Sequence, residues 1–569
     1  MNRFGRRSFV AGVGALGATG LAAGTAPGAS AASAASAASA ARGSRGRPGG
    51  RGFEPEEATV ADIAAAYDSH ELTCVELTEM YLARIAAYED GDTRLNAITT
   101  VNPDALRVAA QLDRERRRHG KRSPLHGIPV LLKDNVDTHD MATSNGSVIL
   151  KDSVPPDDAF LARALRDRGA LILGKASMGE FAGGSYNTID GQVVNPYHAK
   201  RNTGGSSAGS GAAIAANLAV LAIGTDTSTS VRGPASFCGL VGLRPTTGLI
   251  SRDGIAPKNL TFDTAGPMAR TVTDTALLLS AVAGMDRADP LSVETYGAFP
   301  RALRRRAARG ELDYTRYLRR RSLRRARLGV VTDFFGGDPE IDALAREAID
   351  TMRALGAEIV DITLDPAFVD FYLTSGDENI RDIADYRFKA DWETYLATLG
   401  RDVPRTVEEF VRIYETEVNA SPLPVEDSVL DLLTTSLSTS TDAPEYRNLI
   451  DNVLPEATRL KLAMFDRYDL DAMVFPYESS FASPISNPVL SVDDPTYVPS
   501  SRPKPSTFGG YSSVGFPGIV VPMGFGSQGL PMTISLMGRP YSEGLLLGYA
   551  YDYEQESRLR APSPHFPAL

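Results

Sequence analysis

The first regular pattern in the chain lies between Thr59 and Leu106. There Val60, Ile63 and Ala64, and then Leu77, Tyr81, Leu82 and Ile85, recur at helical spacing and predict amphipathic helices. The short apolar run Gly127-Ile128-Pro129-Val130-Leu131-Leu132 predicts a buried strand that delivers Lys133 at its end. A helix is expected from about Ala159 to Arg168, stopped by Gly169, and leads into a buried strand over 170–174. Further on, Leu328 to Val331, a helical stripe through Ile341, Leu344, Ala345, Ala348, Ile349 and Met352, a stop at Gly356 and then Ile359-Val360 spell a βαβ unit. More strands are expected at 472–475, 518–521 and 532–536. The fold class is therefore α/β: a large single domain whose mixed, mostly parallel twisted sheet is covered by helices on both sides. From about 366 to 455 the pattern is polar and helix-like, with scattered aromatics such as Phe368, Phe371, Tyr372 and Trp392. That predicts a variable, cap-like helical region that either shapes a pocket or only packs.

The N-terminus breaks this pattern. Arg6-Arg7 stand ahead of a weakly apolar run, Ala11 to Ala23, and Ala-Ser-Ala triplets follow up to Ala40. This reads as a twin-arginine export signal over 1–42 with several small-residue cleavage sites. A flexible leader over 43–54 and the main domain over 55–569 complete the division. The chain has 569 residues, 43% apolar and 23% charged, a globular composition. Past the signal no run of 18 apolar residues occurs, so no stable membrane span is expected. Cys74 and Cys238 are the only cysteines; they give no disulfide framework and no thiolate metal site, and read as buried thiols. The formal net charge of −11 argues against a nucleic-acid partner. Arginines crowd 301–327, read as a solvated helical insertion in preference to an anion-binding patch.

The densest chemistry lies in Thr203-Gly204-Gly205-Ser206-Ser207-Ala208-Gly209 and, further on, Asp226-Thr227-Ser228-Thr229-Ser230-Val231-Arg232. The apolar run Leu218 to Ile223 between them argues against a flexible linker. Gly205-Ser206-Ser207-Ala208-Gly209 matches the nucleophile elbow G-x-S-x-G, which would make Ser207 the nucleophile. That reading wants a strand before the serine, whereas Lys200 to Gly204 is not read as one. It also wants a later histidine, and only His565 in the tail follows. A phosphate cradle lacks its lysine spacing. A third reading uses lysine as the base. Holding a lysine neutral near pH 7 costs roughly 4 kcal/mol in differential stabilisation, which burial supplies. Lys133, at the end of an apolar strand, meets that condition.

Taken together, Lys133-Asp134-Asn135, Gly204-Gly205-Ser206-Ser207, the step to Ser230, Ser230-Val231-Arg232-x-Pro234, Phe237-Cys238-Gly239, Gly242-Leu243-Arg244-Pro245-Thr246 and Gly515-Phe516-Pro517 resemble the amidase-signature family. The resemblance covers most of residues 55–560 and implies that family's fold. Residue by residue it implies Lys133 as base, Ser206 as a bridging serine after a cis peptide from Gly205, and Ser230 as nucleophile, with the backbone N–H groups of Thr227, Ser228, Thr229 and Ser230 as oxyanion donors. Gly205, Ser207, Asp226 and Arg232 are expected to support the site; Lys175 and His126 read as structural. The family most often has Thr-Gly-Gly-Ser where this chain has Thr227-Ser228-Thr229-Ser230. Either the turn needs no positive φ, or the loop is reshaped.

The implied function is a secreted amidase, extracellular after twin-arginine export, that hydrolyses a small-molecule or peptide amide through an acyl-enzyme. A peptide's C-terminal amide and aryl or acyl amides are the candidate substrates. Esterase or acyltransferase chemistry at the same site and a non-catalytic binding role are alternatives, and the export signal weighs against a tRNA-dependent amidotransferase component. No cofactor and no metal are indicated, and the expected assembly is a monomer or homodimer.

Overall fold

The computed structural model describes residues 52–89, 94–372, 382–500 and 515–569. The expected export signal and most of the leader lie outside the described residues. Residues 53–569 form one compact unit.

Eleven strands make one sheet: β1 (Ile98–Val101), β2 (Pro129–Lys133), β3 (Leu171–Ala176), β4 (Leu221–Asp226), β5 (Val241–Arg244), β6 (Thr264–Ala269), β7 (Arg327–Val331), β8 (Glu358–Ile362), β9 (Ala472–Pro476), β10 (Gly518–Phe525) and β11 (Pro531–Met537). Their spatial order is β1-β3-β2-β4-β6-β5-β10-β11-β9-β7-β8. The mixed α/β fold is the expected one. Its parallel pairs gather in two blocks, β3-β2-β4 and β9-β7-β8, and every other neighbouring pair is antiparallel. β2, β3 and β4 are buried along their whole length, as strands covered on both faces must be.

The βαβ unit shows how sequence makes the second block. Asp338 caps the helix Pro339–Ala354 by accepting from the Glu340 N–H at 2.9 Å, and Pro339 opens the first turn. Ile341, Ala345, Ala348, Ile349 and Met352 share the buried face, and Gly356, at φ +100°, turns the chain into β8. β7 and β8 then pair in parallel from Arg327 opposite Glu358.

The cap-like region is helical, with Pro366–Tyr372, Ile383–Leu396, Val407–Thr416 and Asp427–Ser438. Its aromatics are used in packing. Trp392 lies with ring centroids 5.0 Å from Phe181, 5.4 Å from Tyr395 and 5.9 Å from both Phe388 and Phe410. Phe181 belongs to the loop after β3, so this cluster fastens the cap to that loop.

Trp392 is the only tryptophan in the chain and is fully buried. Trp392→Ala should cost about 3–5 kcal/mol of local stability and lower the urea midpoint followed by far-UV circular dichroism. Trp392→Phe should keep most of the stability.

Candidate active site

β2 and β4 are parallel neighbours, with Leu132 opposite Ile223, so their C-terminal residues emerge at one end of the sheet. Lys133 ends β2 and is fully buried. Its Nζ lies 2.7 Å from Ser206 Oγ, 2.8 Å from Thr225 Oγ1 and 3.5 Å from the Thr225 carbonyl oxygen. No carboxylate pairs with it among the described residues. Burial pushes its pKa down to about 7, partly opposed by the fields of Asp226 and Asp263 and helped by that of Lys258.

The Gly205–Ser206 peptide is cis, as the resemblance implies. Gly205 has no room for a side chain: a Cβ there would sit 1.7 Å from the Gly184 carbonyl oxygen. Ser207 is not a nucleophile in this arrangement. Its hydroxyl donates to the Thr225 carbonyl and accepts from the Thr225 N–H, each at 3.1 Å, and its own N–H donates to the Ser230 carbonyl at 3.2 Å. It thereby clamps the first serine segment onto β4 and onto the second. His198–Asn202 does form a short strand, paired with Val194–Asn195, where the sequence reading placed none. The elbow reading still fails, because the Ser207 hydroxyl is committed to Thr225.

Asp226 and Arg232, both expected to support the site, meet at 3.2 Å. A third partner, Arg244 on β5, reaches the same carboxylate at 2.9 Å. Burial opposes the charge on Asp226, but the two guanidinium groups outweigh it and hold the carboxyl at about 2. Asp226 also accepts from the Val231 N–H at 3.0 Å, and Arg232 donates to the Ser228 carbonyl at 2.7 Å. The loop between them is thus held from both sides. Thr227 donates to Asp263 at 2.6 Å, and the Thr229 carbonyl accepts from the Gly233 N–H at 2.7 Å.

None of Thr227, Ser228, Thr229 and Ser230 has a positive φ. Of the two outcomes left open for the missing glycines, the turn that needs no positive φ is the one found. The N–H groups of Ser228, Thr229 and Ser230 have no protein acceptor among the described residues. Beside this loop lies a cavity of about 340 Å³, lined in part by Gly204, Gly205, Ser228, Thr229, Glu478 and Phe481.

Lys175 and His126 are structural. Lys175 Nζ donates to the Val136 carbonyl at 2.6 Å and to Thr143 at 2.7 Å, and His126 Nε2 bonds the Leu112 carbonyl at 3.0 Å. Cys74 and Cys238 are free and buried. Two residues escaped the sequence reading, Thr225 and Asn135. Asn135 Nδ2 donates to Thr225 Oγ1 at 3.1 Å and to the Ala256 carbonyl at 3.3 Å. Thr225 Oγ1 therefore already accepts one hydrogen bond, and Lys133 supplies the second. That leaves the lone pair of a neutral Lys133 for the Ser206 hydroxyl. The available signal was position: Thr225 and Lys133 both close strands of the same parallel block.

The family model described as Amidase matches residues 76–547. The chain is 31% identical over 522 residues to a glutamyl-tRNA(Gln) amidotransferase subunit of Thermoanaerobacter pseudethanolicus, spanning 88% of this chain and 97% of that protein. It is 34% identical over 512 residues to the protein of the same name from Halorhodospira halophila, with the same coverage. Among solved structures it is similar to the peptide amidase of Stenotrophomonas maltophilia, with a TM-score of 0.77 and 36% identity over 90% of this chain and 99% of that one. The amidotransferase relatives correct the functional expectation. An export signal had weighed against that class, and full-length similarity to several of its members restores it.

Asp226→Asn should leave Arg232 and Arg244 buried without their carboxylate. The expected cost is about 3–5 kcal/mol, read as a lowered urea midpoint; a midpoint equal to that of the unaltered protein would show the pair to be dispensable.

Proposed function

Because the chain belongs to the amidase family, an enzyme family of amide carbon–nitrogen hydrolases, we propose that Ser230 takes the acyl group of a small carboxamide and releases its nitrogen as ammonia or an amine. The observation that carries this reading is Lys133, buried without a paired carboxylate and 2.7 Å from the Ser206 hydroxyl. Neutral Lys133 accepts the Ser206 proton while Ser206 accepts that of Ser230, and a bond forms between Ser230 Oγ and the carbonyl carbon. The oxyanion is met by the N–H groups of the 227–230 turn. When the carbon–nitrogen bond breaks, the proton held on Lys133 returns through Ser206 to the leaving nitrogen. Water, deprotonated by the same route, then frees the acid and restores Ser230.

A second reading concerns the nitrogen. The relatives named as amidotransferase subunits support a chain that releases ammonia from an amide donor for use by a partner, with the same acyl-enzyme half-reaction. Export belongs to the proposal as well and is supported by Arg6-Arg7 ahead of an apolar run.

Ser230→Ala and Lys133→Ala should each lower kcat/KM by about 100- to 10,000-fold. Below about pH 7 Lys133 is charged and cannot accept a proton, so kcat/KM should climb about tenfold per pH unit and level off above it. Unchanged turnover in Lys133→Ala, or a profile falling steadily above pH 6, would sink the relay.

The two fates of the nitrogen separate in an ammonia-release assay. A hydrolase should act alone on peptide amides and other small carboxamides. Release from glutamine only, and only when partner proteins are added, would favour the amidotransferase reading. Cell fractionation with Arg6→Lys and Arg7→Lys tests export; retention of the variant alone supports it, and equal distribution of both forms removes it.

A further inference from the structure

Residues 301–327 hold twelve arginines and only Glu311 and Asp313 as acids, in a chain whose formal net charge is −11. The structure gathers both arginine runs at one exposed corner. The first run forms the helix Arg301–Ala308, and the ring of Phe299 just before it lies 5.1 Å from that of Tyr541. The second run passes the same place. Tyr317 lies so close over Gly544 that a Cβ there would meet its ring at 2.6 Å. The chain then follows the helix Glu543–Ser557, with the Leu323 N–H donating to Asp552 at 3.0 Å and Arg320 pairing with Glu556 at 3.3 Å.

Three large side chains stand out of this corner: Tyr541, Leu545 and Tyr317 are 43%, 37% and 37% exposed. Along residues 301–325 the positive charge is mostly without a paired acid. Arg309 pairs with Glu311 and Arg320 with Glu556, but Arg301, Arg305, Arg319, Arg321, Arg324 and Arg325 are exposed and have no acidic partner among the described residues.

We propose that this face docks onto an anionic lipid surface. Guanidinium groups pair with phosphate in a planar, two-point geometry that suits lipid headgroups. Charge alone would serve any polyanion; what selects lipid is the apolar material among the arginines. Tyr317 presents a ring and a polar tip, the form suited to a boundary that is apolar on one side and wet on the other, and the exposed part of the Tyr541 ring lies beside it. Leu545 contributes nothing to a phosphate backbone and enters an acyl region readily. No helix of the described residues is long and apolar enough to cross a membrane, so the contact is peripheral. The inference is independent of the reaction assigned to Ser230.

The test is co-sedimentation of the mature chain with vesicles. Binding to phosphatidylcholine vesicles containing about one-third phosphatidylglycerol should exceed binding to pure phosphatidylcholine by about tenfold or more, and fall with added salt. The triple variant Arg319→Glu, Arg321→Glu, Arg324→Glu should lose that preference. Tyr541→Ser with Leu545→Ser should weaken binding severalfold at unchanged salt dependence. Both variants should keep the amide turnover and thermal midpoint of the unaltered chain, which separates lost docking from lost folding. Equal binding to the two vesicle types, no binding to either, unaffected binding by both variants, or capture by duplex DNA or polyphosphate without vesicle binding would each overturn the proposal.

Discussion

Burial lowers the pKa of a lysine and a nearby carboxylate raises it; at Lys133 burial is the larger effect and brings the group down to about 7. Asp226 lies close enough for its field to favour the charged form of Lys133. Two arginines hold it in place. With Arg232 and Arg244 on its oxygens, Asp226 is tied to partners of its own. The hydrogen-bond partners of Lys133 are instead two hydroxyls and a carbonyl, none of which carries a charge. The ion cluster holds Asp226 away from direct pairing with Lys133, and its links to Val231 and Ser228 fix the turn that carries Ser230.

That turn also accounts for the missing glycines. A Gly-Gly pair supplies conformational freedom, but here none of the residues from Thr227 to Ser230 adopts a left-handed backbone. Side-chain anchors provide the definition that a permissive backbone does not. The Thr227 hydroxyl is tied to Asp263, which in turn accepts from the Lys258 and Asn259 N–H groups, each at 2.8 Å. The tight glycine contacts fall elsewhere, at Gly205, which presses on the Gly184 backbone, and at Gly224 beneath Ser207.

Part of this arrangement was legible in the sequence and part was concealed. Lys133 at the end of an apolar run, the βαβ unit and the Asp226–Arg232 pair were all legible, because each is a local pattern. β4, β5 and β6 were not recognised as strands, and each carries a glycine: Gly224, Gly242 and Gly266. A Cβ at Gly224 would lie 2.6 Å from Ser207 Oγ, one at Gly242 2.6 Å from Ala235, and one at Gly266 2.2 Å from the Leu243 carbonyl oxygen. Close packing of a serine segment at Gly224, of a short helix at Gly242 and of the neighbouring strand at Gly266 demands glycine at these positions. Arg244 was visible as part of a motif but not as a partner of Asp226, since they meet only across antiparallel neighbours. The Asn135–Thr225–Lys133 chain was hidden for the same reason: its order exists only once β2 and β4 lie side by side.

The relay proposed for Lys133, Ser206 and Ser230 would not read the acyl group it transfers. Lys133, Ser206 and the 227–230 turn address a carbonyl, a hydroxyl and a leaving nitrogen, which every carboxamide has. On that proposal selectivity falls to the cavity beside the turn, whose wall joins backbone at Gly204, Gly205, Ser228 and Thr229 to side chains from a remote part of the chain, among them Glu478, Ser480, Phe481 and Ser483. The loop after β9 brings these residues in, on the block of the sheet that the relay does not use. Lys133 sits on one block, and the other supplies part of the cavity wall. The chain is similar both to a peptide amidase and to amidotransferase subunits, as expected where one fold carries different amide chemistries.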